Sequence, residues 1–484
     1  MVLMAHGDTS YDDPGSIVPR KLTLLERSKK ISSSQSACSR VLVICRDLLR
    51  RALSSVTFGV GPGATTARPV ARTRSRVIHP RAMASTAAAV RASLAAPRLV
   101  ASRAAKTRGA SAIGGRSSPA GGLSLRRSSP AARSSSVRCR AVDLRHVIER
   151  LCAAENLTAD ETEQALDALI DADPAQISAF LVLMRAKGET PEEMAGMARA
   201  MRARAVAVNA GDDVLDIVGT GGDDAGTVNI STGSCILAAA AGAKVAKHGN
   251  RSVSSMCGSA DVLEALGVAV DLGPEGVAKC IERTNMGFMF APRYHPAMKA
   301  VVPVRKALKV RTAFNMLGPM LNPAGTQYAL VGVYTPDLQP LMADSLMALG
   351  MKKALVVCST VGNLSLDEMT PCGPTSVVEV TPAGTKAYSF DPKDVGIPPC
   401  ELKDLAGGDA KLNARMLTDA LGGEKGPVAD CLMLNAGVAM AAAAQAESVE
   451  EGVAMCKEAH AQGKAGDTLR SWIELSQELK LQEA

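Results

Sequence analysis

Apolar residues between positions 141 and 205 recur at the spacing of an α-helix. In the first such stretch they are Leu144, Val147, Ile148 and Leu151. Three helix-start signals follow: Thr158 with Glu161, Asp173-Pro174 with Gln176, and Thr190-Pro191 with Glu193. Gly188 stands where the third helix should end. The pattern predicts a small all-helical domain over residues 141–210.

From Val214 the pattern changes to short apolar runs that alternate with helical stretches. The runs that predict strands are VLDIV (214–218), KVAK (244–247), VAVDL (268–272), GFMF (287–290), YALVGVY (328–334) and ALVVC (354–358). SVVEV (376–380) and KAYSF (386–390) indicate an antiparallel addition, and helices return at the C-terminus. Residues 211–484 are therefore predicted to form a larger α/β domain, with a mostly parallel central sheet flanked by helices.

The first 140 residues differ in composition from the rest. They hold 25 Lys and Arg against five Asp and Glu, and no acidic residue occurs between Asp47 and Asp143. Their Arg, Ser and Ala content predicts a disordered basic extension that includes a plastid transit peptide, beginning near Met83 and cleaved near VRCRA (137–141). The alternatives are a regulatory basic tail and, for residues 1–82, an upstream extension of the coding sequence.

The remaining 344 residues are acidic, with 30 basic and 43 acidic side chains. This balance argues against a general nucleic-acid-binding surface. No apolar run is long enough for a transmembrane helix, so no membrane partner is expected. The twelve cysteines form no CxxC pair, which predicts reduced thiols and neither a zinc site nor a disulfide framework.

The first candidate site is GTGGD (219–223), directly after the predicted strand VLDIV. Glycines at a strand end let backbone amides approach an oxyanion, and Ser231 and Thr232 lie where the next helix begins. The segment therefore fits a phosphate or pyrophosphate cradle. A tight glycine turn without a ligand is the alternative.

KHGNR (247–251) is the second candidate, again at a predicted strand end. Lys247 can neutralise phosphate charge, and Ser254, Ser255, Gly258 and Ser259 offer a second anion-binding turn before a helix. His248 is either a proton-transfer group or a core histidine. Arg251 is equally compatible with a solvated charge.

The adjacent carboxylates Asp367 and Glu368 form the third candidate. Two such charges about 4 Å apart repel by roughly 4 kcal/mol at an effective dielectric of about 20, unless a cation intervenes. Mg²⁺ is held by few carboxylates together with substrate phosphate oxygens and water. The pair therefore predicts a magnesium site, with an exposed acidic turn as the alternative.

The fourth candidate is the proline-rich segment 290–325. If this segment is helical, Arg305 and Arg311 are expected on one face, and an arginine there can bind a substrate carboxylate through two parallel hydrogen bonds. Tyr294 and His295 lie just upstream. Surface arginines with packed apolar stems are the alternative.

Taken together and in order, these motifs resemble the anthranilate phosphoribosyltransferase family over about residues 142–475. The resemblance includes NIST (229–232), GSADVLEALG (258–267), the YHPAM to NPAG series and the late acidic pair. It implies transfer of the 5-phosphoribosyl group of phosphoribosyl pyrophosphate (PRPP) to anthranilate, in tryptophan biosynthesis. It also implies Mg²⁺ and a homodimer formed through the helical domain.

The family's ligand positions carry over residue by residue. For the donor they are Gly219, Gly222, Asp223, Thr227, Asn229, Ser231, Thr232, Lys247 and Ser259. For anthranilate they are Gly219, Asn250 and Arg305, and for Mg²⁺ they are Ser231, Asp367 and Glu368. No clear acid or base is implied, and His248 and His295 are the candidates.

The chain departs from the family at three places. Asp224 stands where glycine is commoner, Val228 replaces a common phenylalanine, and VGNLSL before Asp367 is longer than usual. Asp224 adds negative charge beside the cradle, and no departure removes a ligand. Two rival functions remain: a pyrimidine nucleoside phosphorylase-like enzyme, and a non-catalytic nucleic-acid-binding paralogue.

Overall fold

The computed structural model of the chain describes residues 142–252 and 256–483. The predicted basic extension and its transit peptide lie outside these residues, as do Ser254 and Ser255.

Four helices form the N-terminal domain. They are α1 (Leu144–Cys152), α2 (Ala159–Leu169), α3 (Pro174–Lys187) and α4 (Pro191–Ala203). The start signals at Thr158 and Thr190 are confirmed, because these residues form capping boxes with Glu161 and Glu193. Asp173 also caps α3, but its side chain accepts from the amide of Ala175 and forms no capping box with Gln176. Gly188 ends α3 with φ +89°, a conformation that favours glycine.

The larger domain is built on one eight-stranded sheet. Its strands are β1 (Leu215–Gly219), β2 (Val245–Gly249), β3 (Met286–Phe290), β4 (Tyr328–Gly332), β5 (Lys353–Val361), β6 (Leu364–Leu366), β7 (Thr375–Thr381) and β8 (Gly384–Phe390). The spatial order is β3-β2-β1-β4-β5-β7-β8, and β6 pairs with β5. The strands β3, β2, β1, β4 and β5 are parallel, whereas β7 and β8 are antiparallel as predicted.

Helices cover both faces of the sheet. They are α5 (Ile230–Ala240), α6 (Ser259–Leu266), α7 (Pro274–Thr284), α8 (Ala291–Tyr294), α9 (Met298–Leu308), α10 (Gln339–Ala348), α11 (Ala410–Leu421), α12 (Pro427–Ala442), α13 (Val449–Ala461) and α14 (Lys464–Glu483). One core joins the helical domain, α9 and α10 to one face, and a second core holds α5 and the C-terminal helices on the other. The predicted fold class is confirmed. No described helix is long and apolar enough to cross a membrane.

The prediction of a strand at VAVDL was wrong. Val268, Val270 and Leu272 are buried in alternation, but no strand pairs with them. The C-terminal helix satisfies part of this backbone instead: Ser476 accepts a hydrogen bond from the amide of Ala269 (3.0 Å). Every second residue is buried here because the segment packs against a helix. The alternating pattern therefore indicates burial and does not require a paired strand.

The carboxyl ends of the parallel strands share one edge of the sheet. Gly219 is in register with Gly332 on β4, and Gly249 is in register with Phe290 on β3. Open α/β sheets bind ligands at this edge, outside the strand ends. The loops that carry the sequence candidates begin there.

Candidate active site

The acidic doublet rests directly on the ends of β1 and β4. A Cβ added at Gly332 would lie 1.5 Å from the carbonyl oxygen of Asp367, and one added at Gly219 would lie 2.4 Å from its Oδ2. At Gly332 the obstacle is backbone, so only glycine fits there, whereas at Gly219 the nearest obstacle is the side-chain carboxylate of Asp367. Gly219 is among the predicted ligands but Gly332 is not, although a glycine inside the strand pattern YALVGVY indicates such a close approach.

The glycine turn, the start of α5 and the acidic doublet converge. The amide of Gly221 donates to Oδ2 of Asp367 (2.5 Å), and the amide of Ser231 donates to Oε1 of Glu368 (3.3 Å). The VGNLSL stretch forms the tight turn between β5 and β6 that delivers the doublet to this place. The two sequence candidates are thus parts of one site.

The unusual Asp224 occupies a left-handed backbone position. Its φ is +57°, next to Gly221 (+70°) and Gly222 (+79°). Aspartate tolerates this region better than most residues, because its short side chain can hydrogen-bond locally. The side chain is exposed, so its charge adds to the rim of the turn and not to its floor.

Burial and mutual repulsion disfavour the charged form of the doublet. Burial, followed by the nearby Asp223 carboxylate, raises the pKa of Asp367 to about 7. Burial and then the charges of Asp367 and Asp223 raise the pKa of Glu368 well above its ordinary value. The buried Oε2 of Glu368 has no hydrogen-bond partner among the described residues. A cation would relieve each of these costs.

These carboxylates fit Mg²⁺ bound together with a substrate. No group of three or more His, Cys, Asp or Glu side chains in the described residues is gathered as a metal site by itself. Mg²⁺ does not require one, since it is commonly held by one or two carboxylates, substrate phosphates and water.

Lys247 brings a buried positive charge to the start of α5. The side chain is 1% exposed, and its Nζ donates to the carbonyl of Ile217 (2.7 Å) and contacts Oγ of Ser231 (3.4 Å). Burial raises the pKa of Asp216 to about 6, against the opposing charge of Lys247. Asn322 Nδ2 donates to Oδ2 of Asp216 (2.7 Å) and so fixes that carboxyl.

Residues 219–231, which we call the donor loop, also contact a segment much later in the chain, residues 405–407. The amide of Val228 donates to the carbonyl of Leu405 (2.9 Å), and Thr227 pairs with Ala406. We call residues 405–407 the brace. The brace is not predicted from sequence, because no local signal marks a pairing so distant along the chain.

Other donor candidates around the helix start are held or enclosed. Asn229 donates to the carbonyl of Cys257 (3.0 Å) and accepts from Nδ2 of Asn413 (2.9 Å), a residue that the sequence analysis missed. Thr232 is fully buried, and its hydroxyl has no partner among the described residues.

The described part of the second predicted anion turn, Gly258 and Ser259, lies beside the end of β2. A Cβ at Gly249 would lie 3.2 Å from Cβ of Ser259, which places Ser259 against this strand end. Arg251 instead forms ion pairs with Asp261 (2.9 Å) and Glu264 (2.6 Å), so it clamps the loop. Asn250 remains exposed next to the turn.

The two candidate histidines form a buried pair. His248 and His295 are 6% and 2% exposed, and their ring centroids lie 5.0 Å apart. Burial lowers the pKa of His248 to about 3 and that of His295 to about 4, so both rings are neutral at pH 7. Nε2 of His248 and both ring nitrogens of His295 lack a hydrogen-bond partner in the described part of the chain. Neutral rings of this kind can accept or donate hydrogen bonds, but they are poor proton donors.

Arg305 and Arg311 do not share a helix face, so that prediction was wrong. α9 ends at Leu308, where Lys309 adopts a left-handed conformation (φ +53°) that turns the chain away. Arg305 is half-buried over the ring of Phe314 (5.7 Å) and pairs with no described carboxylate. Burial lowers its pKa, as expected of a guanidinium that lacks an anion.

Arg311 belongs to the glycine turn. One of its terminal nitrogens donates to the carbonyl of Gly222 (2.7 Å), and its guanidinium stacks on Tyr334 at 4.1 Å. This contact supports the turn from outside and is a role that the sequence analysis did not assign.

Comparison with known proteins agrees with this architecture. The helical bundle domain of a glycosyl transferase family matches residues 145–205, and the α/β domain of that family matches residues 211–466. The fold and the site thus define a two-domain glycosyl transferase.

More specific relatives share one name. Anthranilate phosphoribosyltransferase of Chlamydia caviae is 43% identical over 70% of this chain and 98% of its own length. The crystal structure of the Thermus thermophilus enzyme superposes with a TM-score of 0.64 at 42% identity, over 68% of this chain and 99% of that one. The Saccharomyces cerevisiae enzyme in complex with PRPP and Mg gives 0.63 at 27% identity, over 69% and 98%. The chain belongs to the anthranilate phosphoribosyltransferase family.

Proposed function

We propose that this chain transfers the 5-phosphoribosyl group of PRPP to anthranilate, which yields N-(5-phosphoribosyl)anthranilate and pyrophosphate in tryptophan biosynthesis. One observation carries the proposal: backbone amides of the glycine turn and of α5, two carboxylates and a buried lysine meet at one sheet edge. Amides and a lysine bind an oxyanion, while carboxylates beside them require a cation. A diphosphate bound with a metal ion satisfies both demands.

The donor would lie along the glycine turn and the start of α5. Its proposed ligands are those implied by the resemblance, from Gly219 to Ser259, and Lys247 is the buried cation among them. The amides of Gly221 and Ser231 point towards the doublet and would serve the phosphates once the carboxylates turn to a cation.

Mg²⁺ is proposed to be held by Asp367, Glu368 and Ser231. When bound, it would neutralise the pyrophosphate and so make it a better leaving group. The relative from Saccharomyces cerevisiae, whose structure contains PRPP and Mg, supports the same pairing here.

Anthranilate would bind between the ends of β1 and β2 and α9. Arg305 lacks a carboxylate partner and would take the carboxylate of anthranilate, with Asn250 and Gly219 beside it. The amine is neutral at pH 7, so its lone pair attacks C1 as the bond to pyrophosphate breaks. The nitrogen then carries an acidic proton that passes to water or to the released pyrophosphate, so no strong base is needed. Neutral His248 and His295 can orient the amine. Catalysis would rest on positioning and on charge stabilisation.

An assay of anthranilate fluorescence loss on the full chain tests this function. Turnover should require PRPP and Mg²⁺ together, and omission of either should abolish it. A parallel reaction with thymidine and inorganic phosphate tests the phosphorylase alternative, and a salt-dependent DNA shift tests the paralogue alternative. Thymidine phosphorolysis or a salt-dependent DNA shift, seen without consumption of anthranilate, would refute the proposal.

Two further expectations concern the setting of the enzyme. A homodimer formed through the helical domain is expected by resemblance, and light scattering at several concentrations measures the mass. A plastid location is expected from the basic, acid-poor residues 1–140, and import of the chain into isolated plastids with N-terminal sequencing tests it.

A further inference from the structure

Two cysteines lie close together at the border of the site. The Sγ atoms of Cys372 and Cys400 are 3.7 Å apart, and both side chains are partly exposed. A disulfide bond measures about 2.05 Å between the sulfur atoms, so a small rotation of the two side chains would bring them to bonding distance. None of the nine cysteines in the described residues is in a disulfide.

Each of these cysteines follows or precedes a segment that holds the donor loop. Cys372 lies just after the acidic doublet, whose carboxylates accept from the amides of Gly221 and Ser231. Cys400 lies just before the 3₁₀ helix Leu402–Leu405, which leads into the brace.

The donor loop is therefore held between two supports. The doublet contacts it on one side, and the brace contacts it on the other through the amide of Val228 and the carbonyl of Gly226. The two supports approach each other again at Cys372 and Cys400. A covalent bond there would join the two supports directly.

We propose that Cys372 and Cys400 are a reversible redox site, and that their disulfide weakens donor binding. The second part rests on the proposed function. The amides of Gly221 and Ser231 are occupied by the doublet in this arrangement, so donor phosphates must displace the carboxylates. A bond between Cys372 and the segment that carries the brace restrains the doublet loop and opposes this displacement.

The covalent step balances with a small-molecule disulfide such as oxidised glutathione. Cys372 loses its proton and attacks one sulfur, the S–S bond of the oxidant breaks, and one glutathione thiolate leaves. Cys400 then attacks the sulfur of Cys372 and expels the second glutathione. Two cysteine thiols are oxidised, one disulfide is reduced, and the two protons pass to the leaving thiolates.

The surroundings of Cys400 disfavour its thiolate form. Burial, contact with Cys372 and the nearby Asp404 and Asp430 raise the pKa of Cys400 to about 12, so this thiol is seldom ionised. Cys431 lies nearby but is buried, and its thiol contacts the carbonyl of Met369. In reducing compartments protein disulfides are typically transient and regulatory, as expected for a partly exposed pair.

The test uses the full chain with Cys38→Ser, Cys45→Ser and Cys139→Ser, equilibrated in glutathione buffers of rising oxidised fraction. Peptide mapping by mass spectrometry should find a Cys372–Cys400 crosslink that dithiothreitol removes. Calorimetric titration with PRPP and Mg²⁺ should show at least about fivefold weaker binding to the oxidised form. By linkage, PRPP with Mg²⁺ should protect the pair from oxidation by the same factor.

Serine variants supply the controls. Cys372→Ser and Cys400→Ser should each abolish the effect of oxidation on PRPP affinity, whereas Cys152→Ser, at an exposed thiol in α1, should preserve it. Cys431→Ser should preserve it too. Three outcomes would overturn the proposal. They are a crosslink that involves Cys431 in place of either partner, the absence of any crosslink, and equal PRPP affinity in both redox states. Failure of the transferase assay with fully reduced chain would instead refute the proposed function, while the crosslink could still be measured.

Discussion

Substitution of Gly332 by alanine should disable the enzyme, although this residue is expected to touch no substrate. Its added Cβ would lie 1.5 Å from the carbonyl oxygen and 2.2 Å from the carbonyl carbon of Asp367. Ordinary contact begins near 3.4 Å, so the backbone that carries the doublet would have to move by about 2 Å. The obstacle is backbone and not a flexible side chain, so rotamer changes cannot relieve it.

The size of this backbone displacement sets the expected losses of activity and of stability. A misplacement of about 1 Å at a catalytic constellation can cost about 100-fold, so kcat/KM of Gly332→Ala should fall at least that far. Overpacking should also lower the free energy of unfolding by about 1–3 kcal/mol. The fluorescence-loss assay measures the first quantity, and urea unfolding measures the second.

Gly373→Ala is the matched control. It lies in the same loop region, has no atom within 4 Å of its added Cβ and should leave both quantities unchanged. If Gly332→Ala does not fold, Gly219→Ala replaces it, because its clash is with a carboxylate side chain and is milder. Near-normal kcat/KM with normal stability in Gly332→Ala would show that the doublet does not rest on β4.

Three further predictions follow from the site. Arg305→Ala should raise the KM for anthranilate about 10- to 100-fold and leave that for PRPP unchanged, since a charged hydrogen bond contributes about 1.5–3 kcal/mol; equal effects on both substrates would contradict its role. Asp367→Ala combined with Glu368→Ala should lower turnover about 1000-fold and remove its dependence on Mg²⁺, and surviving Mg²⁺-dependent turnover would refute the metal assignment. His248 and His295 have folded pKa values of about 3 and about 4, below the unfolded value of about 6.5, so the stability that they contribute above pH 6.5 is lost as the pH falls towards 4. At pH 5 each histidine should lower the free energy of unfolding, measured with urea, by about 2 kcal/mol. If His248→Gln and His295→Gln left the pH dependence of this free energy unchanged, the prediction would be wrong.

The sequence sufficed for those parts of the site that follow from topology. Once VLDIV and KVAK were recognised as parallel strands, their carboxyl ends had to share an edge, and the loops after them had to meet. The capping boxes at Thr158 and Thr190 were equally predictable, because each depends on residues three apart. Local sequence rules therefore predict the helix starts and the loops at the strand ends that form the phosphate cradle.

Other parts depend on contacts that leave no local trace. Asn413 bonds to Asn229 across 184 residues of sequence, and the brace pairs with the donor loop over a similar separation. The contact of Arg311 with Gly222 depends on the end of α9 at Leu308, which the sequence did not predict. Where three-dimensional packing decides which residues meet, the spacing of residues gives no warning.

The charges of the cradle explain why its parts belong together. Asp223, Asp367 and Glu368 repel one another, and this excess of negative charge adds to burial in raising the pKa of Asp367 and of Glu368. The buried ammonium group of Lys247 opposes part of it at Glu368. The amides of Gly221 and Ser231 offset only part of that excess. A diphosphate alone would make the repulsion worse, and a cation alone would draw the carboxylates away and leave the amides of Gly221 and Ser231 without an acceptor. Only an anion and a cation that arrive together satisfy every group, so PRPP and Mg²⁺ should each bind weakly unless the other is present.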